Sequence, residues 1–123
     1  MARIATTTAN SGLDGMLTTS TTYYLALFTT DPGTTGASGE VSGGSYARQS
    51  IVFAAASSGS KASNTAQTFT NVPSLSGGAP YFGIFSAASG GTYIAGGTTN
   101  SSTAISAGSS ITVASGAITF SLS

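Results

Sequence analysis

The 123-residue chain has six side chains of strong acid or base type: Asp14, Asp31, Glu40, Arg3, Arg48 and Lys61. Histidine and cysteine are absent. That removes histidine-based catalytic triads, imidazole and thiolate metal sites, redox thiols and disulfides. A glycosidase needs two carboxylates facing one cleft. Asp31 reads better as the turn residue of Asp-Pro-Gly, and Asp14 as a first-turn helix charge. Asp31 with Glu40 is the pair that would serve an enzyme. Calcium sites need several acidic oxygens close together, and the sequence clusters none. The glycine-rich pieces GASGEVSGG and SGGAP lack a following lysine and helix, so they read as loops rather than phosphate cradles. No catalytic, cofactor-binding or metal-ligating residue is assigned, and no cofactor is implied.

Two further groups have a plain and a sharper reading. Arg48 interrupts a β pattern. It points to solvent or bonds a carbonyl or Glu40, or else it makes an ion pair between subunits. Tyr23, Tyr24, Tyr46, Tyr81 and Tyr93 would suit a sugar-binding platform, although aromatic residues in strands are more often core. Asn100-Ser101-Ser102 matches a glycosylation acceptor and carries no weight without a secretion signal.

Charged residues make up only 5% of the chain, against roughly 25% in globular domains. Formal net charge is zero, which leaves no electrostatic argument for nucleic acid or an anionic membrane. Polarity comes from Ser, Thr and Gly. Such a surface belongs either to a hydroxyl-solubilised domain or to one lying against neighbours in a large assembly, and the second reading is preferred. No apolar run approaches the roughly 20 residues of a membrane span. The first residues lack a continuous apolar segment, so a signal peptide is not expected.

The elements that must carry these side chains are short strands. Tyr23 to Thr30 (YYLALFTT) is apolar on both faces, which predicts a strand central in a packed sheet. Asp31 to Ser45 is a long turn-rich loop of the kind that is functional or packed on a partner. Tyr46 to Ala54 is the second predicted strand, Ala55 to Ala66 a polar connection holding Lys61, and Gln67 to Val72 a short strand ended by Pro73. Tyr81 to Ala87 (YFGIFSA) is again apolar on both faces, and Gly83 within it marks a bulge or the close approach of an aromatic ring. Ser89-Gly90-Gly91 is a hairpin turn leading to a strand at Thr92 to Ala95. Thr103 to Ser106, Ser110 to Ala114 and Ala117 to Leu122 follow, the last with Ile118, Phe120 and Leu122 inward. Residues 1–11 read as an arm that orders on contact. A short helix capped by Asn10 or Ser11 follows, with Leu13, Met16 and Leu17 as its apolar stripe. The fold expected is all-β: a single-domain antiparallel β-sandwich, jelly-roll-like or a small barrel, of about eight short strands. Residues 1–22 form the arm and helix, residues 23–123 the sandwich.

Tyr24 to Gly33 (YLALFTTDPG), Glu40 to Gln49 (EVSGGSYARQ) and Phe82 to Gly91 (FGIFSAASGG) resemble the strand-and-turn blocks of a family of small tailed-bacteriophage virion proteins. The likeness covers most of the chain from Tyr23 onward, and the N-terminal arm matches poorly. Family members resemble both capsid decoration proteins and tail-fibre or minor tail components. The resemblance implies a structural role with no catalytic activity and transfers no functional residue.

The expectation is a non-enzymatic virion structural protein, foremost a capsid decoration or cement protein on the outer shell of the head. The alternative is a minor tail or tail-fibre component, with a carbohydrate-binding module behind both. Expected partners are the major capsid protein or neighbouring virion proteins and further copies of the chain. A trimer is natural at capsid three-fold positions, though nothing specifies three copies. Neither nucleic acid nor membrane is expected as a partner. The expected location is the virion, assembled in the host cytoplasm, with contacts made by backbone edges, hydroxyls and apolar groups.

Overall fold

The computed structural model describes residues 4–19, 21–36, 39–99 and 103–121. It is all-β apart from one helix, with eight strands in chain order after it. The helix is α1 (Thr6–Met16). The strands are β1 (Tyr23–Phe28), β2 (Gln49–Ile51), β3 (Ser60–Ala62), β4 (Gln67–Phe69), β5 (Tyr81–Phe85), β6 (Tyr93–Thr98), β7 (Ile111–Val113) and β8 (Thr119–Ser121). One four-stranded sheet has the order β2-β1-β5-β6, and two-stranded sheets pair β3 with β8 and β4 with β7. The chain divides into two compact units. One gathers Met1–Thr22, Ile51–Gln67 and Val113–Ser123; the other gathers Tyr23–Ser50 and Thr68–Thr112.

In the second unit β1 is central, as its two apolar faces require: five of its six residues are buried. It pairs antiparallel with β5, setting Tyr24 against Phe85, Ala26 against Gly83 and Phe28 against Tyr81. The next antiparallel pairing sets Gly83 against Gly96. Ala26, Gly83 and Gly96 thus lie side by side across three strands, leaving a shallow row without bulk. Aromatic rings fill it. A methyl group on Gly83 would lie 2.9 Å from Phe28 Cε1, 3.0 Å from Tyr93 Cε1 and 3.3 Å from Phe85 Cε1. The Phe28 and Phe85 rings stack with centroids 6.1 Å apart, and Phe85 meets Tyr93 edge-on at 5.4 Å. Of the two readings of Gly83, the close approach of aromatic rings is the one that holds: Gly83 keeps its regular pairing with Gly96, and the β5–β6 register shifts only beyond it, between Ile84 and Phe85.

Part of the loop from Asp31 to Ser45 is tied back to β1. Thr29 donates its N–H to the Gly39 carbonyl and Val41 to the Leu27 carbonyl, so residues 39–41 run beside the end of β1. Gly36, at φ 63°, sits under the Tyr93 ring so closely that a Cβ would lie 2.5 Å from Tyr93 Cδ1. The predicted strand Tyr46 to Ala54 narrows to β2, because Tyr46 and Arg48 lie in irregular backbone before it. Thr103 to Ser106 supplies only an isolated bridge between Leu75 and Ile105, and Leu122 lies outside the described residues.

In the first unit, α1 begins at Thr6, earlier than Asn10 or Ser11, and Ala5 stands at its N-terminus without a side-chain cap. Residues 6–11, expected as part of an arm that orders on contact, are therefore helical. The buried stripe is Ala9, Leu13 and Leu17, while Met16 is exposed; spacing of four residues keeps that stripe on one side of the helix. Asn10, instead of capping, accepts the Gly59 N–H at 2.9 Å. Strand β3, within the expected polar connection, pairs antiparallel with β8 and sets Lys61 against Phe120. Ile118 is buried beside this pair, with Thr119 and Ser121 exposed, matching the expected alternation.

Adding a methyl group at Gly83 forces at least one of three packed rings to move. Gly83→Ala is expected to lower stability by about 1–3 kcal/mol in urea unfolding. Gly77→Ala meets no atom within 4 Å and should stay within about 0.5 kcal/mol of the parent. Equal stability of the two variants would refute the packing account.

Candidate functional site

The polar side chains of the four-stranded-sheet unit converge on Glu40. Its Oε1 accepts from Arg48 Nη2 at 2.9 Å, and its Oε2 accepts from Arg48 Nε at 2.9 Å. The Tyr46 hydroxyl donates to the same Oε2 at 2.9 Å and accepts the Leu27 N–H at 3.0 Å. Arg48 Nη1 donates to the carbonyls of Ala87 at 3.0 Å and Gly90 at 2.8 Å. The guanidinium lies over the Phe85 ring, 3.7 Å from its centroid. Tyr46 stacks on Phe69 at 5.7 Å with the rings nearly parallel.

Local sequence explains this placement. Glu40 is fixed by its backbone bridge opposite Phe28 in β1. Arg48 and Tyr46 lie two residues apart in the irregular stretch before β2, and both side chains reach the same carboxylate oxygen. The turn after β5 brings the Ala87 and Gly90 carbonyls to the remaining guanidinium donor. Only 10% of the Arg48 side chain is exposed, and its fork matches a carboxylate in a way a lysine would not.

Burial pushes the Tyr46 phenol well above its ordinary 10.0, more than the Leu27 N–H lowers it. The phenol therefore remains a proton donor across the neutral range. Hydrogen bonding to Glu40 raises Arg48 above the ordinary arginine range, against the opposing effect of burial. With both Glu40 oxygens engaged, this arrangement ties chain segments together rather than presenting an acid or base to a substrate. The plain reading of Arg48 holds: it bonds both Glu40 and carbonyls.

A second pair lies in the other unit. Lys61, with its side chain 0% exposed, donates from Nζ to Asp14 Oδ1 at 2.6 Å. Asp14 Oδ1 also accepts the Ala56 N–H at 3.0 Å. Asp14 stands in the last turn of α1, not the first, so it acts as a docking group and not as a helix N-terminal charge. No local pattern marked Lys61 as buried; a lysine between Ser60 and Ala62 in a Gly/Ser-rich stretch reads as solvent-facing. Asp31 is the turn residue expected, accepting the Gly33 N–H at 2.8 Å.

Four of the five tyrosines are used internally, and Tyr24 is half-buried in β1. Tyr23 is buried, Tyr46 stacks on Phe69, and Tyr81 and Tyr93 pack on the cluster of Ala26, Phe28 and Phe85. Tyr93 also donates to the Gly33 carbonyl at 3.2 Å. Asn100-Ser101-Ser102 lies outside the described residues. Among the described residues no group of three or more His, Cys, Asp or Glu could hold a metal ion, and no helix is long and apolar enough to cross a membrane. An open trough of about 460 Å³ runs between Thr29, Thr30 and the turn at Ser74 to Gly78. Hydroxyls, glycine backbone and Leu75 line it, without a charge.

The described residues define a small all-β protein in which Glu40 with Arg48 and Asp14 with Lys61 hold its own segments in place. The model of a family described as "Podophage GP4 fiber I protein gp80" matches residues 3–121, and the chain belongs to that family. It is thereby a bacteriophage virion structural protein. No curated protein and no solved structure gives a significant match.

Two measurements check these clusters. Arg48→Lys keeps the charge but loses the fork and the carbonyl contacts, and is expected to cost about 1–3 kcal/mol in denaturant unfolding; no loss would show that the cluster is ornamental. The Lys61 ammonium holds the Asp14 carboxyl below its ordinary 3.8. A depressed carboxylate contributes stability above its unfolded value, and loses it as pH falls through the folded one. Asp14→Asn should therefore flatten the acid loss of stability below about pH 4, and a slope equal to the parent's would contradict the pairing.

Proposed function

We propose that the protein is a non-enzymatic subunit of a virion fibre, assembled in the host cytoplasm and held by copies of itself and by neighbouring virion proteins. The observation that carries this reading is the family match, which spans nearly the whole chain and whose description is that of a fibre protein. The polar chemistry supports it: the carboxylates of Asp14 and Glu40 are engaged by Lys61, Arg48 and Tyr46, and Asp31 closes a turn. The scarcity of charge supports contacts made through backbone, hydroxyls and apolar surface rather than ion pairs. A decoration protein bound to the major capsid protein, as a trimer at three-fold positions, would use the same surface chemistry. The family description favours the fibre over the shell.

Copy number in purified particles, by quantitative mass spectrometry against the major capsid protein, separates the two. A fibre subunit is expected at a few to a few dozen copies. A ratio near one copy per capsid subunit would overturn the fibre reading in favour of the shell, and absence from particles would remove both.

A further inference from the structure

Strand β6 ends the four-stranded sheet, and among the described residues no strand pairs with its outer side. Its six residues carry no charge and no proline, the residue types that most often blunt an exposed edge. The pairing with β5 fixes which backbone groups face outward. Thr99 donates its N–H to the Pro80 carbonyl at 2.7 Å, and bonded pairs alternate along an antiparallel ladder. Gly97 opposite Phe82 and Ala95 opposite Ile84 therefore bond inward. The N–H and C=O of Gly96 and Thr98 point away from the sheet, and both residues are exposed.

Side chains leave this edge clear. The register shift at Ile84/Phe85 leaves Ile94 without a partner on β5, so the straight stretch is Ala95 to Thr98. The Tyr93 ring folds over Gly96 and its hydroxyl bonds the Gly33 carbonyl, which places the ring on the sheet face. What remains at the edge is a methyl, two glycines and a hydroxyl.

We propose that β6 is the self-association edge: the β6 strands of two copies pair antiparallel about a two-fold axis at Gly97, joining two four-stranded sheets into one. Gly96 of each copy then exchanges backbone hydrogen bonds with Thr98 of the other. At the axis Gly97 faces Gly97 as a non-bonded pair, with Cα atoms about 4.5 Å apart. The occupant is a second copy for two reasons. The edge holds no charge that would select a charged partner, and a two-fold pairing about Gly97 sets Gly96 against Thr98 in both directions, so the outward backbone groups of each copy satisfy those of the other. This inference is independent of where in the particle the protein sits.

The test is the oligomeric state by sedimentation, with amide exchange on the same samples. The parent is expected to dimerise, with exchange at Gly96 and Thr98 slowed about tenfold or more as dimer forms. Thr98→Pro removes only an outward N–H and should be monomeric where the parent is dimeric. Thr98→Val keeps that N–H and should dimerise like the parent. A monomeric parent, a dimer that survives Thr98→Pro, or a dimer with Gly96 and Thr98 still exchanging freely would each overturn the proposal. Should Thr98→Pro fail to fold, exchange on the parent decides alone.

Discussion

The bonds converging on the Glu40 carboxylate join pieces of chain that the sequence leaves far apart: β1, the segment 39–41, the irregular stretch before β2, and the turn after β5. The stretch from Asp31 to Ser45 has no regular element to order it. Glu40 lies within that stretch, and anchoring it replaces one long closure by two shorter ones, which narrows the freedom each segment must lose. The Tyr46 hydroxyl does related work on β1, occupying the Leu27 N–H where a neighbouring strand's carbonyl would otherwise bond it. Removing the carboxylate would strand a guanidinium and a phenol in a partly desolvated setting, an outcome costlier than the loss of the bonds themselves.

How much of this was legible depended on whether the information was local. Tyr23 to Phe28 and Tyr81 to Phe85 were readable because aromatic density on both faces of a short segment has one stable destination, the middle of a sheet. Gly83 was readable because a glycine inside such a segment needs a neighbour to fill its place. Asp31 was readable because its bond is to an amide two residues away. Glu40 and Arg48 were only half readable: their pairing was one of several options, while the Ala87 and Gly90 carbonyls arrive from about forty residues along the chain. Lys61 was not readable, and of α1 the stretch carrying Leu13 and Leu17 was readable while its start at Thr6 was not. The helix is favoured by docking through Asn10 and Asp14, against threonines and glycines that weaken it in isolation.

The two units use their few charges alike. Each pairs a cation with a carboxylate, eight residues apart for Arg48 with Glu40 and 47 apart for Lys61 with Asp14, and buries much of the cation. In a chain with three acidic and three basic residues, this leaves solvent facing mostly hydroxyls, amides and glycine backbone. Specificity in contacts between such surfaces must come from strand geometry and shape, since patterns of charge are not available to supply it.

The burial of the cations also governs how the folded chain meets proteases and reagents. Trypsin-like enzymes need a lysine or arginine in accessible, extended backbone, and amine-directed cross-linkers need a free ammonium. Of the three basic residues, Lys61 is wholly covered and Arg48 nearly so, each bound to a carboxylate. The native protein is thereby a poor substrate for digestion at either position. Full denaturation comes first if peptides are to be released, and labelling at lysine will report on unfolding rather than on neighbours.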